Sequence, residues 1–151
     1  VYYHDIHRPD LSIEKEFGVV FAEMAVVLSQ SDIISLHAPL TEQTRAMINE
    51  AAFKAMKPGA CLINVARAEL VDEKALAEAL KKGIIAGAGI DVFSQEPVTT
   101  DNPLLGVDNE KLLFSPHSAG VTDEGAGRII NMAAANIARV LKGDEPESPV
   151  N

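Results

Sequence analysis

The run Ala60-Cys61-Leu62-Ile63-Asn64-Val65-Ala66 constrains the fold of this chain more than any other segment. It is almost wholly apolar and too short for an ordinary helix, so it reads as a buried strand. The turn residues Lys57-Pro58-Gly59 end whatever precedes it. Beyond it, Asp72 stands at an N-cap position. Leu76, Ala79 and Leu80 then follow at helical core spacing to about Lys82, and Gly83 supplies the stop. A buried strand followed by an amphipathic helix is one half of a parallel crossover unit.

The same rhythm runs through the chain. Strands are predicted at Val1–Asp5, Ile33–His37, Ile85–Val92 and Leu112–Ser115. Helices are predicted at Glu23–Gln30, with Met24, Val27 and Leu28 on one face, and at Glu50–Met56. A long Ala-rich helix follows over Val121–Lys142, ended by Gly143, and the tail Asp144–Asn151 reads as extended. Apolar strands without alternation predict a sheet covered by helices on both faces. The fold class is therefore α/β, a doubly wound parallel sheet. Residues 1–143 are expected to form this sheet domain, and residues 144–151 a tail.

Composition narrows the partners. With 13 basic and 22 acidic residues the formal charge is -9, and no Lys/Arg cluster exists to neutralise a phosphate backbone or an anionic membrane. The single cysteine, Cys61, excludes an internal disulfide and reads as a buried strand thiol. No signal peptide, membrane-length apolar run or lipidation motif is evident, which makes a reducing cytoplasm the default location. His4 and His7 lie three residues apart in strand and turn context without further ligands, so no metal site is predicted. Gly87-Ala88-Gly89 lies inside a strand and opens no helix. It is not a dinucleotide loop, and its glycines are expected to permit close approach in the sheet.

In an open parallel sheet, ligands bind beyond the carboxyl ends of the strands. The residues there are Asp5; His37, Ala38 and Pro39; Ala66 and Arg67; Asp91, with Glu96 in its loop; and His117 to Gly120. His117 has the side chain best suited to proton exchange at neutral pH; from spacing alone it could equally cap the following helix. Glu96 could hold one ring nitrogen of that histidine, fixing its tautomer and favouring imidazolium, or be a solvated loop residue beside Pro97. Arg67 could fork a carboxylate, or form a structural ion pair with Glu69 or Asp72. Asp5 could accept the hydroxyls of an adenosine ribose, favouring NAD over NADP, or be a turn residue before Pro9. His7 and Arg8 lie close by and soften that preference, since a nearby arginine could accommodate a 2′-phosphate.

Five segments carry a resemblance. Ser31-Asp32-Ile33-Ile34-Ser35-Leu36-His37-Ala38-Pro39-Leu40-Thr41, Met56-Lys57-Pro58-Gly59-Ala60 and Ile63-Asn64-Val65-Ala66-Arg67-Ala68-Glu69-Leu70-Val71-Asp72-Glu73 come first. Gly89-Ile90-Asp91-Val92-Phe93-Ser94-Gln95-Glu96-Pro97 and Ser115-Pro116-His117-Ser118-Ala119-Gly120 follow. In order and spacing, across the whole chain, they resemble the NAD-binding domain of the D-isomer-specific 2-hydroxyacid dehydrogenases, the phosphoglycerate, glycerate and glyoxylate dehydrogenase-like group. The resemblance implies a Rossmann-type fold, NAD as cofactor and hydride transfer between a 2-hydroxy acid and the nicotinamide. It implies Arg67 as carboxylate binder, Glu96 as partner of the histidine and His117 as acid/base. Asp91 would lie near the nicotinamide and Asp5 on the ribose. Ala38, Pro39, Val65 and Ala66 would line the cofactor cleft, with Arg67, His117, Ala119 and Gly120 beside them. It also implies a homodimer.

Two departures stand out. Ala68 occupies a position where the family usually has glycine. The family's glycine-rich loop belongs to a strand that precedes Val1 and lies between the strands ending at Asp5 and His37. Residues 1–151 are thus expected to belong to a longer chain with its own substrate domain, and to be unstable and inactive alone. Direct pairing of those two strands would overturn that expectation. Two functional classes remain: a 2-hydroxyacid dehydrogenase and an NAD(H)-sensing, corepressor-like binding protein on the same fold. A formate dehydrogenase fits less well, because that branch replaces the carboxylate that Glu96 supplies.

Overall fold

The computed structural model describes residues 1–149. The elements, in order, are β1 (Tyr2–Tyr3), α1 (Leu11–Phe17), β2 (Val20–Phe21), α2 (Met24–Gln30), β3 (Ile33–Leu36), α3 (Glu50–Ala55), β4 (Cys61–Asn64), α4 (Glu73–Lys81), β5 (Gly87–Ile90), β6 (Leu112–Phe114) and α5 (Asp123–Leu141). Short 3-10 turns occupy Ala68–Leu70 and Pro103–Gly106. Two compact units result, one from Val1 to His117 and one from Ser118 onward.

In the first unit β3, β4, β5 and β6 form a parallel sheet in chain order, and β1 and β2 form a separate parallel pair. Local chemistry places the elements. Asp72 caps α4 by accepting the N–H groups of Lys74 and Ala75, both at 3.0 Å, as its position predicts. Asn49 caps α3 in the same way, through Ala51 and Ala52. A Cβ on Gly87 would lie 3.2 Å from the carbonyl oxygen of Lys111, the residue before β6, tighter than ordinary van der Waals contact. This is the close approach expected of the glycines in this strand.

One apolar cluster fills the space behind the four-stranded sheet. It joins Leu28 of α2, Phe53 of α3 and Leu76 and Leu80 of α4 to Ile34, Leu62, Ala88 and Leu112 of the strands. The opposite face differs from the sequence expectation. Burial alternates along β3, β4 and β5, and Ile33 and Leu113 are 67% and 76% exposed. Apolar residues on both sides of a strand show that both faces suit burial. The helices α2 to α4 supply one covering layer, and it serves one face only.

Helix α1 and strand β2 were not anticipated. Two residues of β2 are too few to show a period, and Gly18, with φ at +62°, separates them sharply from α1. β1 pairs with β2 and β3 with β4; β1 and β3 do not pair with each other, so the arrangement that would have overturned the expectation of an intervening strand is not seen.

In the second unit α5 begins at Thr122, whose Oγ1 accepts the N–H of Gly125 at 2.9 Å. Asp123 and Glu124 lie in its first turn, where the helix dipole favours acids. Gly143 ends it at φ +84°. The tail is not simply extended. Arg139 donates to the Glu145 carbonyl at 2.7 Å and Glu147 N–H donates to Asn136 Oδ1 at 2.9 Å, which return it to the helix. Its last two residues, 150 and 151, lie outside the described residues. Among the described residues no helix is long and apolar enough to cross a membrane.

Candidate active site at the carboxyl ends of the strands

Parallel register brings four strand ends into one row: Leu36, Asn64, Ile90 and Phe114 are successive partners across β3, β4, β5 and β6. The loops leaving this row therefore start side by side. Asp91 N–H donates to the Asn64 carbonyl and Ser115 N–H to the Ile90 carbonyl, at 3.0 and 3.1 Å, so the ladder extends one residue past the strands. The buried Asp91 carboxylate accepts the Ser115 hydroxyl at 2.5 Å, joining the ends of β5 and β6.

His117 follows at once. Its backbone lies in the left-handed region at φ +53°, costly for a residue with a Cβ and found mainly where surrounding structure enforces it. Its Nδ1 lies 2.9 Å from Glu96 Oε2, and Glu96 Oε1 accepts the Phe93 N–H at 3.0 Å. An ionised carboxylate only accepts, so Nδ1 carries the proton and Nε2 is left to exchange one. The hydrogen bond from His117, followed by that from Phe93, holds the Glu96 carboxyl below the ordinary carboxylate range.

The β4 end is organised by Asn64, which is buried and uses both ends of its amide. Oδ1 accepts the Ala66 N–H at 3.1 Å, and Nδ2 donates to the Arg67 carbonyl at 2.9 Å. This clasp leaves Val65 and Arg67 exposed and Ala66 packed against the core. Arg67 forms no ion pair with Glu69 or Asp72, and among the described residues its guanidinium donates only to the Ala66 carbonyl, at 2.7 Å. Ala68 starts the 3-10 turn, buried and without a positive φ, so this loop does not require the usual glycine.

At the β3 end, His37 and Ser35 share a hydrogen bond of 2.8 Å, Ala38 packs on the core, and the Pro39 carbonyl accepts the Thr44 hydroxyl at 2.7 Å. Asp5 stands apart, beyond β1 in the two-stranded sheet, where its Oδ1 accepts the His7 N–H at 2.8 Å. It is thus a turn-former with an exposed carboxylate. Ala119 and Gly120 lie in the turn before α5, in the second unit. Among the described residues no cluster of three or more His, Cys, Asp or Glu side chains could hold a metal.

Sequence reasoning missed three residues that build this site. Asn64 was hidden as a polar interruption in an apolar run, although a buried amide in such a run always demands partners. Ser115 carries no signal in the sequence beyond its place before Pro116. Glu73, the first residue of α4, accepts at its carboxylate the Ser94 N–H at 2.8 Å, the Ser94 hydroxyl at 2.7 Å and Asn102 Nδ2 at 3.1 Å. It thereby anchors the loop that bears Glu96.

Comparison with known proteins finds relatives of this chain. A glyoxylate reductase of Korarchaeum cryptofilum is 44% identical over 151 residues, covering all of this chain and 44% of its own length. An (S)-sulfolactate dehydrogenase of Chromohalobacter salexigens is 47% identical over 118 residues, 78% of this chain and 38% of its own. The chain thus spans less than half the length of the curated relatives it matches. Among solved structures, D-lactate dehydrogenase with NAD+ from Lactobacillus jensenii superposes with a TM-score of 0.85 at 31% identity, over 99% of this chain and 48% of that one. A formate dehydrogenase from Granulicella gives 0.90 at 27% identity, over 97% and 39%. The family model for the D-isomer specific 2-hydroxyacid dehydrogenase NAD binding domain matches residues 1–119, and the chain belongs to that family.

Proposed function

We propose that this chain is the cofactor-binding part of an NAD-dependent oxidoreductase that interconverts a D-2-hydroxy acid and its 2-keto acid, with His117 as acid/base. The observation that carries this reading is the 2.9 Å contact between His117 Nδ1 and Glu96 Oε2, on a backbone held at φ +53°. Such a pair has little structural use at a site half open to solvent, whereas an acid/base needs an oriented ring with one nitrogen free. When bound, the nicotinamide supplies or accepts the hydride at the substrate C2.

The chain's own residues supply the rest. His117 Nε2 gives a proton to the carbonyl oxygen in the reductive direction and takes the hydroxyl proton in the oxidative one. Glu96 stabilises the imidazolium formed in the second case. Arg67, unpaired with any acid among the described residues, offers its guanidinium fork to the substrate carboxylate. Asp5 would take the ribose hydroxyls, and Ala38, Pro39, Val65, Ala66 and Asp91 would line the cofactor cleft. Aligned strand ends and backbone loops are the usual seat of a dinucleotide, and they suit this cofactor. A homodimer, and inactivity of residues 1–151 alone, belong to the same proposal.

The test is a screen of 2-keto acids with NADH on the full-length polypeptide, starting with glyoxylate, which the names of the relatives put first. Turnover of at least one acid is expected, and His117→Gln should lower kcat by about 10²- to 10⁴-fold. Tight NADH binding with no turnover of any acid would replace the enzyme with a cofactor sensor. Because the Glu96 carboxyl is depressed, the ion pair with His117 should persist as pH falls through the ordinary carboxylate range and be lost below it.

A further inference from the structure

The loop after β1 contains a side-chain cluster that the acid/base site does not use. Arg8 is the only Lys or Arg in the first fourteen residues, and it lies three positions beyond Asp5. Its guanidinium donates from Nε to Glu14 Oε1 at 2.6 Å and from Nη2 to Glu14 Oε2 at 3.0 Å. The Tyr3 hydroxyl adds a third donor to Glu14 Oε1 at 2.8 Å. The Arg8 guanidinium carbon also lies 5.0 Å from the centroid of the Phe21 ring, within cation–π range. Glu14 is 9% exposed, and its donors hold its carboxyl down at about 2.

This cluster bears on cofactor choice. A carboxylate at the position of Asp5 accepts ribose hydroxyls and repels a 2′-phosphate, whereas an arginine nearby can reverse that preference. Arg8 is the nearest candidate for the second role. To reach a phosphate it would have to leave two charge-assisted hydrogen bonds and strand a nearly buried carboxylate without its cation. We infer that Glu14, through the clamp it forms with Tyr3 and Phe21, withholds Arg8 from a 2′-phosphate and so enforces the choice of NAD over NADP. The inference rests on the proposed cofactor role of Asp5. In it Glu14 is a positioning residue that never touches the cofactor.

The experiment measures NADH and NADPH affinities of the full-length polypeptide by fluorescence titration. In Glu14→Gln, NADPH affinity should rise by about five- to tenfold, the worth of one partly exposed charge-assisted hydrogen bond, while NADH affinity stays nearly constant. Adding Arg8→Leu to that variant should cancel the gain. Glu14→Asp keeps the charge but shortens the reach, and should show a smaller gain of the same sign even where Glu14→Gln folds poorly. A gain that survives Arg8→Leu would overturn the inference, because it would come from removing negative charge alone. An unchanged NADPH-to-NADH ratio in both Glu14 variants would overturn it as well. Failure of the unaltered protein to bind NADH would instead remove the cofactor reading beneath it.

Discussion

Behind β3 to β6 the packed side chains are Leu62, Leu70, Leu76, Leu80 and Ile85, all fully buried. Beside β1 and β2 the packed group is Tyr3, Glu14, Arg8 and Phe21, three of them polar and joined by short hydrogen bonds. Both regions are parallel ladders with the same backbone geometry. In the first, removal of apolar area from water supplies the cohesion, which is non-directional and insensitive to pH. In the second, two-residue strands bury too little apolar surface, and an ion pair with a phenol hydroxyl replaces it. The first should behave as a cooperative block and the second as a local, titratable attachment.

The largest effect that could break this comparison is in the core. Leu62→Ala should cost about 2–5 kcal/mol of global stability in the full-length polypeptide, read by denaturant unfolding. A loss no greater than that of a surface change would mean that this sheet is not held by its apolar cluster. Next is a matched pair within β5. A Cβ on Gly87 meets the fixed Lys111 carbonyl at 3.2 Å, whereas one on Gly89 meets the Ile63 Cδ1 methyl at 3.1 Å. Gly87→Ala should therefore cost about 1–3 kcal/mol, and Gly89→Ala less, since a side-chain end can move and a backbone cannot. Equal costs would show that the sheet yields as easily as its side chains.

Glu73→Ala should cost about 1–2 kcal/mol through the loss of three hydrogen bonds to a partly exposed carboxylate. Under the proposed function it should lower kcat through Glu96 and His117 more than it raises KM; a change in KM alone would detach this anchor from the proposed acid/base pair. The smallest effect is one of pH. The Glu14 carboxyl is held at about 2 against an ordinary 4.5, first by Arg8 and then by Tyr3. Its contribution is present above the ordinary value and fades as pH falls from there toward about 2. Amide exchange should therefore show protection at Val20 and Ala22 falling as pH drops from 4.5 toward about 2, before any change at Leu62. Simultaneous loss would merge the two regions into one unit.

Some of this was legible in the sequence because it rests on local chemistry. Asp72 as a cap, Lys57-Pro58-Gly59 as a stop and Cys61–Asn64 as a strand depend on a few adjacent residues, and they stand where expected. The pairing of Glu96 with His117 was available as a hypothesis, since both follow strands that end together. Glu73, Asn64 and Ser115 were not legible as site residues. Each acts through a partner set by the fold, and Glu73 reaches Ser94 across 21 positions of chain. Helix α1 and strand β2 escaped for a related reason. Glu14 has a reason to be buried only once Arg8 and Tyr3 have been brought to it.

By itself the sequence determined the class of fold and the place of most strands and helices along the chain. Those follow from hydrophobic period and turn residues, which act over a few bonds. Tertiary structure alone decided that only one sheet face is sealed within the described residues, and that His117 turns onto a left-handed backbone to meet Glu96. It also decided that Arg67 stays clear of Glu69 and Asp72 while Arg8 is bound to Glu14. The physical reason is common to all four. The state of a charge, or of an apolar face, depends on what stands within a few ångströms in space, and chain folding rather than residue type decides that.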